Sequence, residues 1–163
     1  MRVHCSYDKL IKIEDLKPNP RNPNTHPEEQ IKLLAKKILK EGWRHPITVS
    51  DLSGLIVTGH ARLEAAKLLE LNEAPVDFQY YESTEAERRH MIADNRIQEM
   101  SEWDTPILKD ELEDLNTGDF DIELTGFNEK DLEELMTQFN PDGNDERENE
   151  EKALECPQCG YEF

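Results

Sequence analysis

This chain is expected to fold as an α+β protein: a small mixed sheet with helices, then acidic helices, then a short C-terminal Cys-x-x-Cys knuckle. The first ground is periodicity. Short β-rich runs alternate with amphipathic helical stretches between residues 10 and 100. The second is charge. Residues 1–97 hold 15 basic and 15 acidic side chains, whereas residues 98–163 hold 4 and 22 and so carry the whole net charge of −18. The third is cysteine placement: Cys156 and Cys159 stand together near the end, and Cys5 stands alone. These observations divide the chain into a compact unit over 1–100, an acidic helical extension over 101–139, a disordered acidic linker over 140–155 and a knuckle over 156–163. A length of 163 residues suits one ordinary domain with appendages.

Residues 11–16, IKIEDL, read as a short strand and turn. The segment 17–27, KPNPRNPNTHP, is dense in Pro and Asn. Each Pro fixes its own φ and restricts its predecessor, so the segment should be irregular but stiff. Thr25 and Glu28 have the spacing of a capping box, and Pro27 suits a first helical turn. The helix then runs to about Glu41 on the stripe Ile31, Leu34, Ala35, Ile38 and Leu39, and Gly42 ends it.

Pro46 to Ser50 and Leu55 to Thr58 read as strands around a DLSG turn. A second helix starts after Gly59, with Leu63, Ala66 and Leu69 inward. Val76 to Tyr80 reads as another strand. Thr84 with Glu87 forms a second capping box, opening a helix to about Ile97. Beyond Ser101, residues 102–116 predict an acidic helix with Ile107, Leu108, Leu112 and Leu115 inward. Residues 127–139 predict another, N-capped by Asn128, with Leu132, Leu135, Met136 and Phe139 on one face. Residues 140–152, NPDGNDERENEEK, hold no apolar side chain and predict a disordered tether.

The opening residues MRVHCSYDKL lack the apolar run of a signal peptide, and no stretch reaches the length of a membrane span. Three cysteines do not make a secreted disulfide framework. A soluble cytoplasmic protein without a membrane partner is therefore expected. Its acidity repels bare phosphate backbones, so any DNA contact should be local to the balanced half rather than a matter of bulk charge.

The best candidate for chemistry is LIVTGHARLEAAKLLEL, residues 55–71. A strand that runs through a glycine into a helix presents free backbone amides to an anion. Arg62, one turn in, has a guanidinium that forks onto phosphate oxygens. A glycine before any amphipathic helix would look similar, so these residues alone leave simple packing open.

Three blocks settle the reading by resemblance. Leu16-Lys17-Pro18-Asn19-Pro20-Arg21-Asn22, Gly59-His60-Ala61-Arg62 with Glu64-Ala65-Ala66, and Ala93-Asp94-Asn95-Arg96 with Gln98-Glu99 resemble, in order and spacing, the motifs of the ParB/sulfiredoxin fold. The likeness is specifically to the N-terminal nucleotide-binding domain of ParB-like proteins. The resemblance covers about residues 10–100. It implies a nucleoside triphosphate ligand, ATP or CTP, with Mg²⁺. The binding residues it implies are Arg21 and Asn22, then Thr58, Gly59, His60, Ala61 and Arg62, then Asp94, Asn95 and Arg96. Asp94 is the implied magnesium ligand. Asn19 lies in the same stiff loop, where Asn22 and Asn24 also suit turns.

The chain departs from the segregation proteins of the family, which carry Glu-Arg where this chain has His60-Ala61. Its Gly-His-x-Arg form is closer to free-serine kinases of the fold and to ParB-like proteins found near phage DNA methyltransferases. Sulfiredoxins carry a catalytic Cys in this loop, so that activity is not expected. Nor is a helix-turn-helix domain, or the sliding clamp that would use it. The function implied is a ParB-like nucleotide-binding protein of phage or mobile-element DNA metabolism that binds a triphosphate, with hydrolysis as an option. The alternatives are a phosphotransferase on a hydroxyl acceptor such as serine, with His60 or Glu28 as base, a ParB-like nuclease, and a non-catalytic adaptor. The acidic C-terminal half would dock a partner protein.

Trp43 and Trp103 are expected to pack rather than stack on bases, and Arg88, Arg89 and His90 to form a solvated basic spot. Cys156 and Cys159 supply two of the four ligands of a structural zinc. The other two would come from His4 and Cys5, or from the same knuckle of a second chain in a homodimer. A turn without metal is the remaining option.

Overall fold

The computed structural model describes residues 1–116, 118 and 121–138. The readings for 140–155 and for Cys156 and Cys159 lie outside these residues. Chain order is β1 (Lys9–Lys12), a 3-10 turn (Ile13–Asp15), α1 (Glu28–Glu41), β2 (Ile47–Ser50), β3 (Ile56–Thr58), α2 (His60–Leu68), β4 (Glu73–Gln79) and α3 (Thr84–Gln98). Then follow α4 (Thr105–Leu115), a second 3-10 turn (Ile122–Thr125) and α5 (Glu129–Gln138).

The four strands form one mixed sheet in the order β1-β4-β2-β3. β1 and β4 run antiparallel, β4 and β2 parallel, and β2 and β3 antiparallel. All four residues of β2, ITVS, are buried, as expected of a strand inside a sheet covered on both sides. β4 starts at Glu73, earlier than its apolar run suggests, and contains Pro75. Pro is tolerated there because residues 73–75 pair only with β1, and pairing with β2 begins at Val76.

α1 and α2 pack against each other and the sheet. Ala35 and Ile38 of α1, Leu63, Ala65 and Ala66 of α2, and Trp43, Ile47, Ile56 and Val76 form one apolar core. Trp43 is buried, as its packing reading requires. α3 contacts β3, where Val57, Tyr81 and Met91 make a second cluster. A third, smaller cluster of Leu112, Ile122 and Leu132 holds α4, the second 3-10 turn and α5 together. Among the described residues, no helix is long and apolar enough to cross a membrane.

Several local expectations are corrected. Thr25 does not cap α1: Pro27 takes the N-cap position in an extended conformation (φ −58°, ψ 149°), with no side-chain cap. Thr25 thus sits too far upstream to reach the first helical amides. Ser83, not Thr84, caps α3, accepting from the Ala86 amide at 3.2 Å. Glu87 is therefore not the N3 partner of the cap, and it faces inward. Ile107 and Leu115 are exposed on α4, and only Leu112 is fully buried there. Met136 is likewise exposed, and Trp103 is 71% exposed, resting edge-on against Phe127 with ring centroids 5.8 Å apart. Asn128 does cap α5, through Lys130 and Asp131 amides at 2.9 and 3.1 Å, and Asp131 answers by accepting from the Asn128 amide at 2.9 Å.

Candidate functional site

β3 ends at Thr58, and the chain reverses into α2 through Gly59, which is left-handed (φ 97°, ψ 23°). Glycine is required there twice over. A side chain would be strained at that φ. A Cβ would also lie 2.8 Å from a terminal guanidinium nitrogen of Arg62 and 3.0 Å from its Nε. The guanidinium is therefore folded back over Gly59, at the amide-rich end of α2. Its Nε–H is buried and meets no acceptor among the described residues. Burial lowers the Arg62 pKa from its ordinary value, while the charges of Asp94 and Cys5 act the other way. A desolvated cation with an unused donor at a helix N-terminus is suited to an anion.

The Pro-Asn loop leans on the same helix end. Its Asn19 amide donates to His60 Nε2 at 3.2 Å. His60 Nε2 is thus an acceptor, which puts the proton of the neutral ring on Nδ1. Burial, with the charge of His26, holds the His60 pKa below its ordinary value, against an opposing pull from Glu64. Asn19 is itself buried, and its side chain accepts from the Arg21 amide at 3.0 Å and donates to Glu87 Oε1 at 3.3 Å. Asn22 exchanges two hydrogen bonds with the Asn24 backbone, both 3.2 Å. Asn24 Nδ2 donates to Asn95 Oδ1 at 2.7 Å, and Asn95 Nδ2 donates to the Met91 carbonyl at 2.8 Å. The three blocks legible in the sequence are in this way one connected structure.

The expected site residues do not all sit in equivalent surroundings. Thr58, Gly59, His60, Ala61, Arg62, Asp94 and Asn95 are half-buried. Arg21 is exposed, and Arg96 is exposed and paired with Glu99 at 3.1 Å. Asn95 spends its amide on the loop and the helix, so its role here is to join them. Glu28 points away into solvent and pairs with Lys32 at 2.6 Å, and that hydrogen bond holds its pKa below the usual carboxylate range. A carboxylate so held is a weaker proton acceptor. It lines a groove of about 470 Å³ between α1 and α2, with His26, Ile31 and Glu64. A smaller hollow of about 180 Å³ opens beside the loop, lined by Pro23, Asn24, Ile92, Asn95, Arg96 and Glu99.

Two contributors escaped the sequence reading. Asn19 was noted only as a member of the loop, and Glu87 only as a cap partner. His90 also turns inward: its Nδ1 lies 2.7 Å from the Tyr81 hydroxyl, which donates to Gln79 Oε1 at 3.2 Å. Arg88 and Arg89 are exposed, as expected of a solvated face.

The structure is similar to that of the C-terminally truncated chromosome-partitioning protein ParB from Caulobacter crescentus complexed with CTP-gamma-S, with a TM-score of 0.63 and 22% identity. The match covers 80% of this chain and 77% of that one. The chain belongs to the ParB N-terminal domain family, whose model matches residues 3–102.

A second model, the ParB-methyltransferase HTH domain, matches residues 106–159, a stretch in which the sequence reading expects no helix-turn-helix domain. The chain is 36% identical over 64 residues to the ParB-like nuclease domain-containing protein YnaK of Escherichia coli (strain K12), covering 72% of that protein. It is 41% identical over 68 residues to Stage 0 sporulation protein J of Bacillus subtilis (strain 168), of which the match spans 24%.

Proposed function

We propose that the protein binds a nucleoside triphosphate, CTP or ATP, with its phosphates on Gly59–Arg62, and uses it in DNA metabolism of a phage or mobile element. The observation that carries the reading is the buried Arg62 Nε–H, with no acceptor among the described residues, folded over a left-handed glycine at the start of α2. The C. crescentus ParB structure, which holds CTP-gamma-S, favours the cytidine nucleotide. Thr58, His60 and Ala61 border the phosphates, with Arg21 and Asn22 over them from the loop and Arg96 at the rim.

The donor set also fits Mg²⁺. This ion usually takes one or two carboxylates and completes its shell with substrate phosphates and water. Asp94, half-buried and acting on Arg62 through space, is the carboxylate for it. The cation would neutralise phosphate charge; the chain's own part is to position the phosphates with Arg62 and the α2 amides, and to hold the loop through His60 and Asn19. Hydrolysis needs little beyond such positioning. A panel of CTP, ATP, GTP and UTP, each with Mg²⁺, tested by thermal shift, checks the reading. A rise in Tm with at least one triphosphate, larger than with Mg²⁺ alone, is expected. No shift with any of them would remove the assignment.

A second reading concerns residues 106–159, on the match to the HTH model. That stretch holds 4 basic and 18 acidic side chains. Such a balance opposes a DNA backbone, so the surface suits a basic partner protein better than a duplex.

A further inference from the structure

Among the described residues, Glu87 is the one acidic or basic side chain that is fully buried, at 3% exposure. It lies on α3, two turns before Asp94-Asn95, outside all three sequence blocks. Oε1 accepts from Asn19 Nδ2 at 3.3 Å, while Oε2 is buried with no partner among the described residues. Asn19 in turn ties α2, through His60, to the loop, through the Arg21 amide. Glu87 thus stands at the root of the network that sets the loop over the helix N-terminus.

Burying a carboxylate with one oxygen unpaired is strongly unfavourable unless something offsets it. A proton on Oε2 would do so, and so would a hydrogen-bond donor brought by a ligand. The position of Glu87 favours the ligand. Its other oxygen already holds the loop that borders the site, and a water-poor setting makes one correctly placed donor count heavily. A site built to accept a specific donor also rejects the analogue that lacks it.

We propose that Glu87 is a positioning and specificity residue of the nucleotide site: Oε1 fastens the loop through Asn19, and Oε2 accepts a hydrogen bond from a hydroxyl or amino donor of the nucleoside. The second half rests on the nucleotide reading above, and the first does not.

Two variants separate the roles. Glu87→Gln keeps a carbonyl for Asn19 and puts an NH₂ where Oε2 stood. Glu87→Ala removes both. Amide exchange on the ligand-free full chain reads the loop. Glu87→Ala is expected to speed exchange of the Asn19 and Arg21 amides about tenfold or more, and Glu87→Gln to leave them near wild type. Calorimetry with Mg²⁺ and CTP, UTP or 2′-deoxy-CTP reads the ligand. Glu87→Gln is expected to weaken CTP binding at least about tenfold, the scale of a hydrogen bond to a charged group. The analogue lacking the donor should be indifferent to the substitution: UTP if the donor is the base amine, the deoxynucleotide if it is the 2′-hydroxyl. Equal losses with all three support the proposal with the 3′-hydroxyl as donor.

Unchanged CTP affinity in Glu87→Gln would overturn the acceptor role, because a protonated, merely structural Glu87 is mimicked by glutamine. Unchanged exchange in a folded Glu87→Ala would overturn the fastening role. A wild type that binds none of the three nucleotides overturns the nucleotide reading and the acceptor role with it, while exchange alone still decides the fastening.

Discussion

Arg62 and Gly59 work as a pair, and each makes a prediction about the other. A methyl group at 59 meets the guanidinium and forces a left-handed φ on an L-residue, a strain of roughly 1–2 kcal/mol. Gly59→Ala should therefore lower stability modestly and nucleotide affinity by more, since the guanidinium is displaced from the helix end. Chemical denaturation and calorimetry on the same variant compare the two losses; equal losses would mean that Arg62 does not meet the ligand.

His60 predicts a pH dependence. Its folded pKa is depressed below the ordinary 6.5, so its contribution is complete above 6.5, declines below that value, and is lost as pH falls through the folded pKa. Protonated Nε2 cannot accept the Asn19 amide. Exchange at Asn19 should rise as pH falls below 6.5 beyond the intrinsic trend, and His60→Asn should remove that excess.

Arg62 was legible because a strand, a glycine and a helix in sequence dictate where such a side chain can go. Glu87 was not. As the capping-box partner of Thr84 it reads as a solvent-facing acid, yet it lies four residues before Met91, on the buried face of the helix. Ser83 and Thr84 are adjacent hydroxyl residues, and the sequence does not show which of them caps the helix and so whether Glu87 is needed at the cap.

At the level of elements, the link between the two halves rests on charge. Lys36 of α1 pairs with Asp121 at 3.0 Å and Glu123 at 2.5 Å, and Lys40 meets Asp121 at 2.5 Å. Lys37 adds a bond to the Leu124 carbonyl at 3.2 Å. Hydrogen bonds from Lys40 and Lys36 hold the Asp121 pKa below its ordinary 3.8, so its contribution is present above 3.8 and disappears as pH falls through the folded value. These pairs are partly exposed, hence screened by salt.

The double substitution Lys36→Glu, Lys40→Glu should raise amide exchange over residues 121–127 while leaving β1–β4 protected. Unchanged exchange in 121–127 would show that apolar packing alone holds the segment. Helix and strand order were legible throughout, because periodicity is local. This docking was not, since it joins lysines and carboxylates more than eighty residues apart.

For the molecule as a whole, the partition of charge decides which partners are plausible. The half that holds the candidate site is neutral, and the half that matches the HTH model carries the acidity. The full chain should not retain non-specific duplex DNA at about 150 mM salt, where backbone contacts are already weakened by screening. Fluorescence anisotropy with a random duplex checks this; retention that falls steeply with salt would show a basic face that the charge balance does not reveal. The motif blocks were readable because they lie at turns and helix ends where backbone geometry restricts residue choice.

In the proposed function, Arg62 receives the phosphates of a nucleotide. Calorimetric titration of Mg²⁺-CTP into wild type and Arg62→Ala, with folding of the variant checked by circular dichroism, tests it most directly. The variant is expected to fold and to bind more weakly by roughly 1.5–3 kcal/mol, about ten- to 150-fold. A folded Arg62→Ala that binds Mg²⁺-CTP as tightly as wild type would contradict it.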